Sequence, residues 1–220
     1  MAEGSVASGA GPVFYGDAVQ NHDAPARVGS ARSAALSILV AMEPILTTLN
    51  EGVLQLTLNR PEKKNAYNIA LWQALHTSLT EARENPEVAV VVLTGAGRDF
   101  SAGQDLTEML SGGLGEGEEH PFVAAMKCLY EFDKPLLAAA RGVGVGFGAT
   151  CLFHCDLVYV GESLRARLPF ANLGLVPEIA SSYTLQAQIG RQRANELMFT
   201  AEWINSERAV DLGIAARAFP

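Results

Sequence analysis

Positive charge is scarce in this 220-residue chain: 16 Lys and Arg stand against 24 Asp and Glu, for a formal net charge of −8 and a pI near 5.0. Binding a phosphate backbone takes a surplus of Lys and Arg on some face, so general nucleic-acid binding is excluded and any anionic ligand must meet a local basic patch. Cysteine is equally sparse. Cys128, Cys151 and Cys155 lie in or beside apolar runs, and none has a partner at zinc-binding spacing except His154, next to Cys155. They read as buried, reduced thiols in a reducing compartment, with no metal site. Long apolar runs are missing too: the stretch from Ala34 to Ala41 is too short to span a bilayer, so no membrane segment is expected. What remains is a chain that is 49% hydrophobic and only 18% charged, enough for the core of one soluble globular domain with attachments.

Residues 1–41 are rich in Ala, Gly and Ser, lack a sustained period, and carry Arg27 and Arg32 among Asp17 and Asp23. This composition predicts a flexible N-terminal extension over residues 1–44 and an organised domain over residues 45–220. A transit peptide is Arg-rich and poor in acids, which this stretch matches poorly, although Arg32-Ser33-Ala34-Ala35 before apolar residues keeps that reading open. Met42 is an alternative start.

Beyond Ile45 the pattern becomes regular. Val53 to Leu58 alternates as a half-buried strand does, and residues 59–65 form a polar, Pro-containing loop. Residues 68–84 place Leu71, Leu75 and Leu79 on one helical face. Val88 to Leu93 is a continuous apolar run that suits a strand covered on both faces. The same grammar repeats: a short helix from Asp105, a Gly-rich loop at 112–117, a helix over 121–132, and a strand from Leu136 to Ala140. A helix near 148–154 and a strand over 156–160 follow. Past Pro177 three helices are expected, Ser182 to Ile189, Arg191 to Phe199 and Ser206 to Leu212, the last capped by Ser206. The succession predicts an α/β protein of stacked ββα-like units.

Two glycine-framed turns stand out, Phe100-Ser101-Ala102-Gly103-Gln104-Asp105 and Gly142-Val143-Gly144-Val145-Gly146-Phe147-Gly148, each between a strand-like and a helix-like run. Glycine permits close backbone approach and conformations closed to other residues. Two such turns can aim two backbone N–H groups at one oxygen, which would stabilise an enolate oxyanion. Acid–base chemistry beside a carbonyl then needs a proton carrier, and Glu178 in Leu175-Val176-Pro177-Glu178 is the candidate; apolar Leu175, Val176 and Ile179 would raise its pKa by desolvation. The bland alternative is a surface or helix-capping acid after Pro177. Asp105 is expected to cap the helix after its turn. Asp156 reads as structural, His154 as a packed helix residue, and His76 and His120 have no visible partner.

Together these residues resemble the enoyl-CoA hydratase/isomerase, or crotonase, superfamily from about Ile45 to Pro220. The anchors are Leu58-Asn59-Arg60-Pro61-Glu62-Lys63-Lys64-Asn65-Ala66, both glycine turns, Lys134-Pro135, Cys155-Asp156 and Leu173-Gly174-Leu175-Val176-Pro177-Glu178. The resemblance implies a crotonase-like spiral of ββα repeats that binds an acyl-CoA thioester, whose oxygen is held by the N–H groups of Gln104 and Phe147. It also assigns Ala66, Ala102, Gly103, Gly146 and Phe170 to substrate contact. Arg60, Lys63 and Lys64 are candidates for the nucleotide phosphates of coenzyme A, with a solvated loop as the alternative. Coenzyme A belongs to the substrate, and no separate cofactor is implied.

Family hydratases use two glutamates to activate water, and Thr150 and Phe170 stand at those positions here. Glu178 stands instead at the base position of the family's Δ3,Δ2-enoyl-CoA isomerases of the peroxisomal type, which share a segment like Ser181-Ser182-Tyr183. The resemblance thus implies an isomerase with one carboxylate base. Two alternatives stay open: a hydratase or other crotonase-type activity, which needs a second acid such as Glu108 or Glu131, and a non-catalytic acyl-CoA-binding or scaffold protein. The family usually continues past Ala218-Phe219-Pro220 with helices that cover the pocket and pack trimers. Those helices are therefore expected to be partly missing here, and a homo-oligomer, trimer or hexamer, is expected of a complete chain. The compartment implied is cytoplasmic for a bacterial protein, and mitochondrial or peroxisomal for a eukaryotic one.

Overall fold

A computed structural model describes residues 43–110 and 120–220. The expected extension over residues 1–44 lies outside them except for Glu43 and Pro44, whose carbonyl oxygens accept from the Asn59 side chain and backbone. The Gly-rich loop at 112–117 lies outside them as well.

An antiparallel hairpin opens the fold. Strand β1 (Ile45–Asn50) turns through Glu51 and Gly52, both at positive φ, into β2 (Val53–Leu58). Only the second strand is legible in the sequence, because β1 is exposed over its last four residues and shows no alternation. Helix α1 (Ile69–Glu84) follows; the Asn68 side chain accepts the Leu71 N–H at 2.9 Å, and Leu71, Trp72, Leu75, Leu79 and Ala82 form the buried face. Strand β3 (Val90–Gly95) buries alternate residues and half-buries the rest, matching its unbroken apolar run.

Two sheets then build up together. The six-stranded sheet has the order β1-β2-β3-β4-β6-β9, with β4 at Leu136–Ala140, β6 at Leu157–Gly161 and β9 at Arg217–Phe219; all neighbours beyond the first hairpin are parallel. The three-stranded sheet has the order β5-β7-β8, from Val143–Val145, Arg165–Arg167 and Ile204–Asn205. Successive units place one strand in each sheet before a short helix: β4 and β5 lead to α4 (Phe147–Thr150), and β6 and β7 lead to α5 (Phe170–Leu173). In the preceding unit the second strand shrinks to one bridge, Ser101 with Gly144, before α2 (Leu106–Leu110). Helix α3 (Pro121–Tyr130) packs on α1. The short strands β5, β7, β8 and β9 escaped the sequence reading because two or three residues carry no measurable alternation.

Three helices follow the 3₁₀ turn Cys151–His154 and Pro177 as expected: α6 (Ser181–Ile189), α7 (Arg191–Thr200) and α8 (Ser206–Asp211). The cap of α8 is a correction. Asn205, not Ser206, accepts the Arg208 N–H at 2.9 Å, while the Ser206 hydroxyl donates to the Glu162 carbonyl. Asp156 is structural: its Oδ2 accepts the Leu136 N–H at 2.8 Å. Among the described residues no helix is long and apolar enough to cross a membrane, no group of three His, Cys, Asp or Glu could hold a metal ion, and the three cysteines are free thiols.

The two glycine turns form one seam. Ser101 N–H donates to the Val143 carbonyl and the Ser101 carbonyl accepts from Val145 N–H, both at 2.9 Å. A Cβ on Gly148 would overlap the Ser101 carbonyl oxygen, and one on Gly103 would overlap that of Val145 and stand 3.1 Å from the Phe147 nitrogen. Because Gly148 sits in a helix, propensity alone predicts that Gly148→Ala stabilises the protein by about 1 kcal/mol. The overlap predicts the opposite sign, a loss of about 1–3 kcal/mol or more, readable as a lowered urea midpoint.

Candidate functional site

The seam and the segment before α6 enclose a cavity of about 480 Å³. Of the residues singled out in the sequence, Ala102, Gln104, Gly146, Phe147, Phe170 and Glu178 line it. Gly103 lies buried in the seam behind them. Arg60, Lys63, Lys64 and Ala66 belong to the loop packed against the first turn, where the Ala102 N–H donates to the Lys64 carbonyl at 2.8 Å.

Both backbone donors have identifiable causes. Gln104 forms an isolated parallel bridge with Tyr67: Tyr67 N–H donates to Gly103 O at 2.7 Å and Asp105 N–H to Tyr67 O at 2.9 Å. In such a bridge the middle residue's own N–H points to the other side. Phe147 opens α4 after Gly146, whose φ of 54° and ψ of −122° suit glycine, and the first N–H of a helix has no intrahelical acceptor. The Gln104 side chain is anchored to α1: its Oε1 accepts the Trp72 Nε1–H at 2.8 Å. Trp72 also meets Phe147 and Phe122 edge-on, at 4.5 and 5.0 Å between ring centroids, so an aromatic cluster backs the seam.

Glu178 occupies a strained turn. Ile179 and Ala180 both adopt left-handed φ, 44° and 50°, a region unfavourable to a β-branched residue. Three bonds hold it there. The Glu178 carbonyl accepts from Ser181 N–H at 2.9 Å and from the Ser181 hydroxyl at 2.6 Å, and the Ile179 carbonyl accepts from His154 Nε2 at 2.7 Å. That acceptor fixes the proton on Nε2, and burial lowers the His154 pKa, keeping the ring neutral. His154 was expected to be a packed helix residue; its hold on this turn has no signature in sequence spacing.

The Glu178 carboxyl faces Thr150, whose hydroxyl donates to Oε1 at 3.1 Å. Burial raises the Glu178 pKa above its ordinary value, and the Thr150 bond opposes part of that rise. A second carboxylate, Glu108 on α2, lines the same cavity, and its Oε2 accepts the Ile69 N–H at the start of α1 at 2.9 Å. His120 also lines it and is not without a partner: its Nδ1 accepts the Phe122 N–H at 3.1 Å and caps α3.

The basic loop differs from expectation at one residue. Arg60 Nη1 donates to Asp105 Oδ2 at 2.7 Å and to the Ala66 carbonyl at 3.0 Å, so its charge is matched within the protein. The guanidinium bond holds the Asp105 carboxyl below the usual range, while Asp105 Oδ1 caps α2 through Thr107 N–H, as the sequence suggested. Lys63 and Lys64 remain exposed on the loop.

Residues 48–220 match the family model described as enoyl-CoA hydratase/isomerase. The chain is 34% identical over 179 residues to 2,3-dehydroadipyl-CoA hydratase of Escherichia coli K12, covering 81% of this chain and 70% of that one. It is 33% identical over 181 residues to rat enoyl-CoA delta isomerase 2, covering 80% of this chain and 46% of that one. Among solved structures, the enoyl-CoA hydratase EchA8_6 from Mycobacterium marinum superposes with a TM-score of 0.74 at 42% identity, covering 80% of this chain and 83% of that one.

The partial burial of Glu178 has a consequence for stability. Between pH 4.5, its ordinary value, and its raised native value, the folded protein holds a proton that the unfolded chain has lost. Stability therefore falls as pH rises through that window. Glu178→Gln is expected to melt higher than the parent at pH 7–8. Its advantage should shrink toward pH 4.5 at a slope of at most about 1.4 kcal/mol per pH unit, as followed by thermal unfolding across pH.

Proposed function

The chain belongs to the enoyl-CoA hydratase/isomerase family, and from that premise we propose that it moves a double bond within an acyl-CoA thioester, converting a 3-enoyl-CoA to a trans-2-enoyl-CoA with Glu178 as proton carrier. One observation carries the reading: Glu178 is a partly buried carboxylate lining a largely apolar cavity shared with Gln104 and Phe147, and it accepts the Thr150 hydroxyl. The resemblance to the family, in which Thr150 and Phe170 take the positions of the hydratases' two glutamates, points the same way.

In this reading the C2–H bond breaks, its proton passes to the Glu178 carboxylate, and the electron pair flows into the thioester carbonyl. The resulting dienolate oxygen accepts from the Gln104 and Phe147 N–H groups, donors oriented before charge develops. The same carboxyl then gives its proton to C4: the C3–C4 double bond breaks to form the C4–H bond, the C1–C2 pair moves to C2–C3, and the thioester carbonyl and the carboxylate are restored. Water takes no part, which suits a wall that includes Phe122, Phe147 and Phe170. A pKa raised by burial brings the base nearer neutral pH, where one group can accept and return a proton efficiently. Coenzyme A enters as part of the substrate, with Lys63 and Lys64 available to its phosphates.

Glu108 favours a second reading. A second carboxylate on the cavity wall is what hydration of a 2-enoyl-CoA would require, although this one is tied to the Ile69 N–H. Incubating the purified protein separately with 3-enoyl-CoA and 2-enoyl-CoA distinguishes the two. Isomerisation of the former is expected, falling by about 10²–10⁴-fold in Glu178→Gln. Hydration of the latter with no migration in the former would overturn the isomerase reading.

A further inference from the structure

We propose that Thr150 is a positioning residue for the Glu178 carboxylate: its hydroxyl engages Oε1, leaving Oε2 as the oxygen that carries the proton between C2 and C4. The inference rests on the reading of Glu178 as the proton carrier and adds to it which oxygen works and what aims it.

Thr150 is fully buried, and a β-branched side chain in a helix has few rotamers, of which packing and the Glu178 bond select the one that turns the hydroxyl to the carboxyl. It also closes the single helical turn Phe147–Thr150. Residues three apart on a helix share a face, so the backbone donor at Phe147 and the hydroxyl that grips Glu178 belong to one rigid unit. The distance between the site where negative charge gathers and the oxygen that moves the proton is thereby set by one turn of backbone. The carboxylate would otherwise rotate about its terminal torsion, which is broad for glutamate.

A hydroxyl donor to the ionised form favours that form, so Thr150 also keeps the base ready to accept a proton against the effect of burial. The other groups around Glu178 leave this assignment to Thr150. The Cys151 thiol is buried, and desolvation first, then the charges of Cys155 and Glu178, push its pKa up and keep it neutral. His154 is neutral and bonds the Ile179 carbonyl. Glu108 and His120 line the cavity with bonds to Ile69 and Phe122.

The test compares Thr150→Val, which keeps shape and removes the hydroxyl, with Thr150→Ser, which keeps the hydroxyl, and with Glu178→Gln. Two readouts are taken: isomerase kinetics across pH, and the titration of the Glu178 carboxyl by ¹³C NMR in the free protein. Thr150→Val is expected to lower kcat about 10- to 100-fold with KM nearly unchanged, and to move the acidic limb of the pH profile and the NMR titration of Glu178 to higher pH. Thr150→Ser should recover most of both. If Thr150→Val does not fold, Thr150→Ala takes its place with the same expectations. An inactive Glu178→Gln alongside a Thr150→Val that titrates and turns over like the parent would overturn the positioning role and leave the base intact. A Thr150→Ser no better than Thr150→Val would overturn it as well. A Glu178→Gln that stays active would remove the base reading itself, and this proposal with it.

Discussion

Everything at this site depends on how closely two backbone turns approach. Ser101 is stitched between Val143 and Val145 by reciprocal N–H···O bonds, and no side chain fits at Gly103 or Gly148 while those bonds exist. The contact does more than hold two sheets together. It places the Gln104 and Phe147 peptides on the same cavity wall, with their N–H groups outside the bonds that tie the seam, one turned out by a parallel bridge and the other left over at a helix start. Backbone donors fixed in this way need no reorganisation when charge appears on a ligand oxygen. The surrounding side chains serve the seam: Asn65, itself left-handed and buried, donates to the Ala96 and Asp99 carbonyls, and its own carbonyl accepts the Ser101 hydroxyl.

The carboxylate is held by the opposite device. Glu178 lies on a segment with consecutive left-handed residues, Ile179 and Ala180, a conformation that costs of order 1–3 kcal/mol per residue and persists only where the surroundings over-determine it. The surroundings do so through His154 on one carbonyl, Ser181 on the preceding one, and Ile179 packed into the core. Strain of this kind stands here next to a partly buried acid. The seam tolerates no extra atoms, and the acid-bearing turn tolerates an unfavourable backbone; both are paid for by the same continuous core that runs beneath them.

Elements with a period and residues with a backbone role were legible in the sequence; contacts between distant residues were not. Helix α1 and strands β2, β3 and β4 follow from spacing and apolar runs because each is long enough to show its pattern. The glycine turns were readable because only a close approach or an unusual φ explains so many glycines between strand and helix. The short strands of the small sheet carry two or three residues and no pattern. Arg60 reads as a phosphate ligand by charge alone, and only the folded chain shows it matched to Asp105, 45 residues away. Thr150 reads as a missing carboxylate, which hides what its hydroxyl does for an acid 28 residues further on. At Ser206 and Asn205 two good capping residues are adjacent, and local sequence does not choose between them.

A site with one well-placed base asks less of its walls than one that must also hold water. Water activation needs two polar groups directed at the same molecule, and each would have to be satisfied when the cavity is empty. A proton shuttled by a single carboxyl needs only that the group be neutral or charged at similar cost, which is what an apolar wall and one hydroxyl donor produce between them. Burial pushes Glu178 toward the acid and Thr150 pulls it toward the carboxylate, with burial the larger effect. In the proposed reaction Phe170 would act without touching a proton: it is buried on the cavity wall, where an apolar ring adds to the desolvation of Glu178.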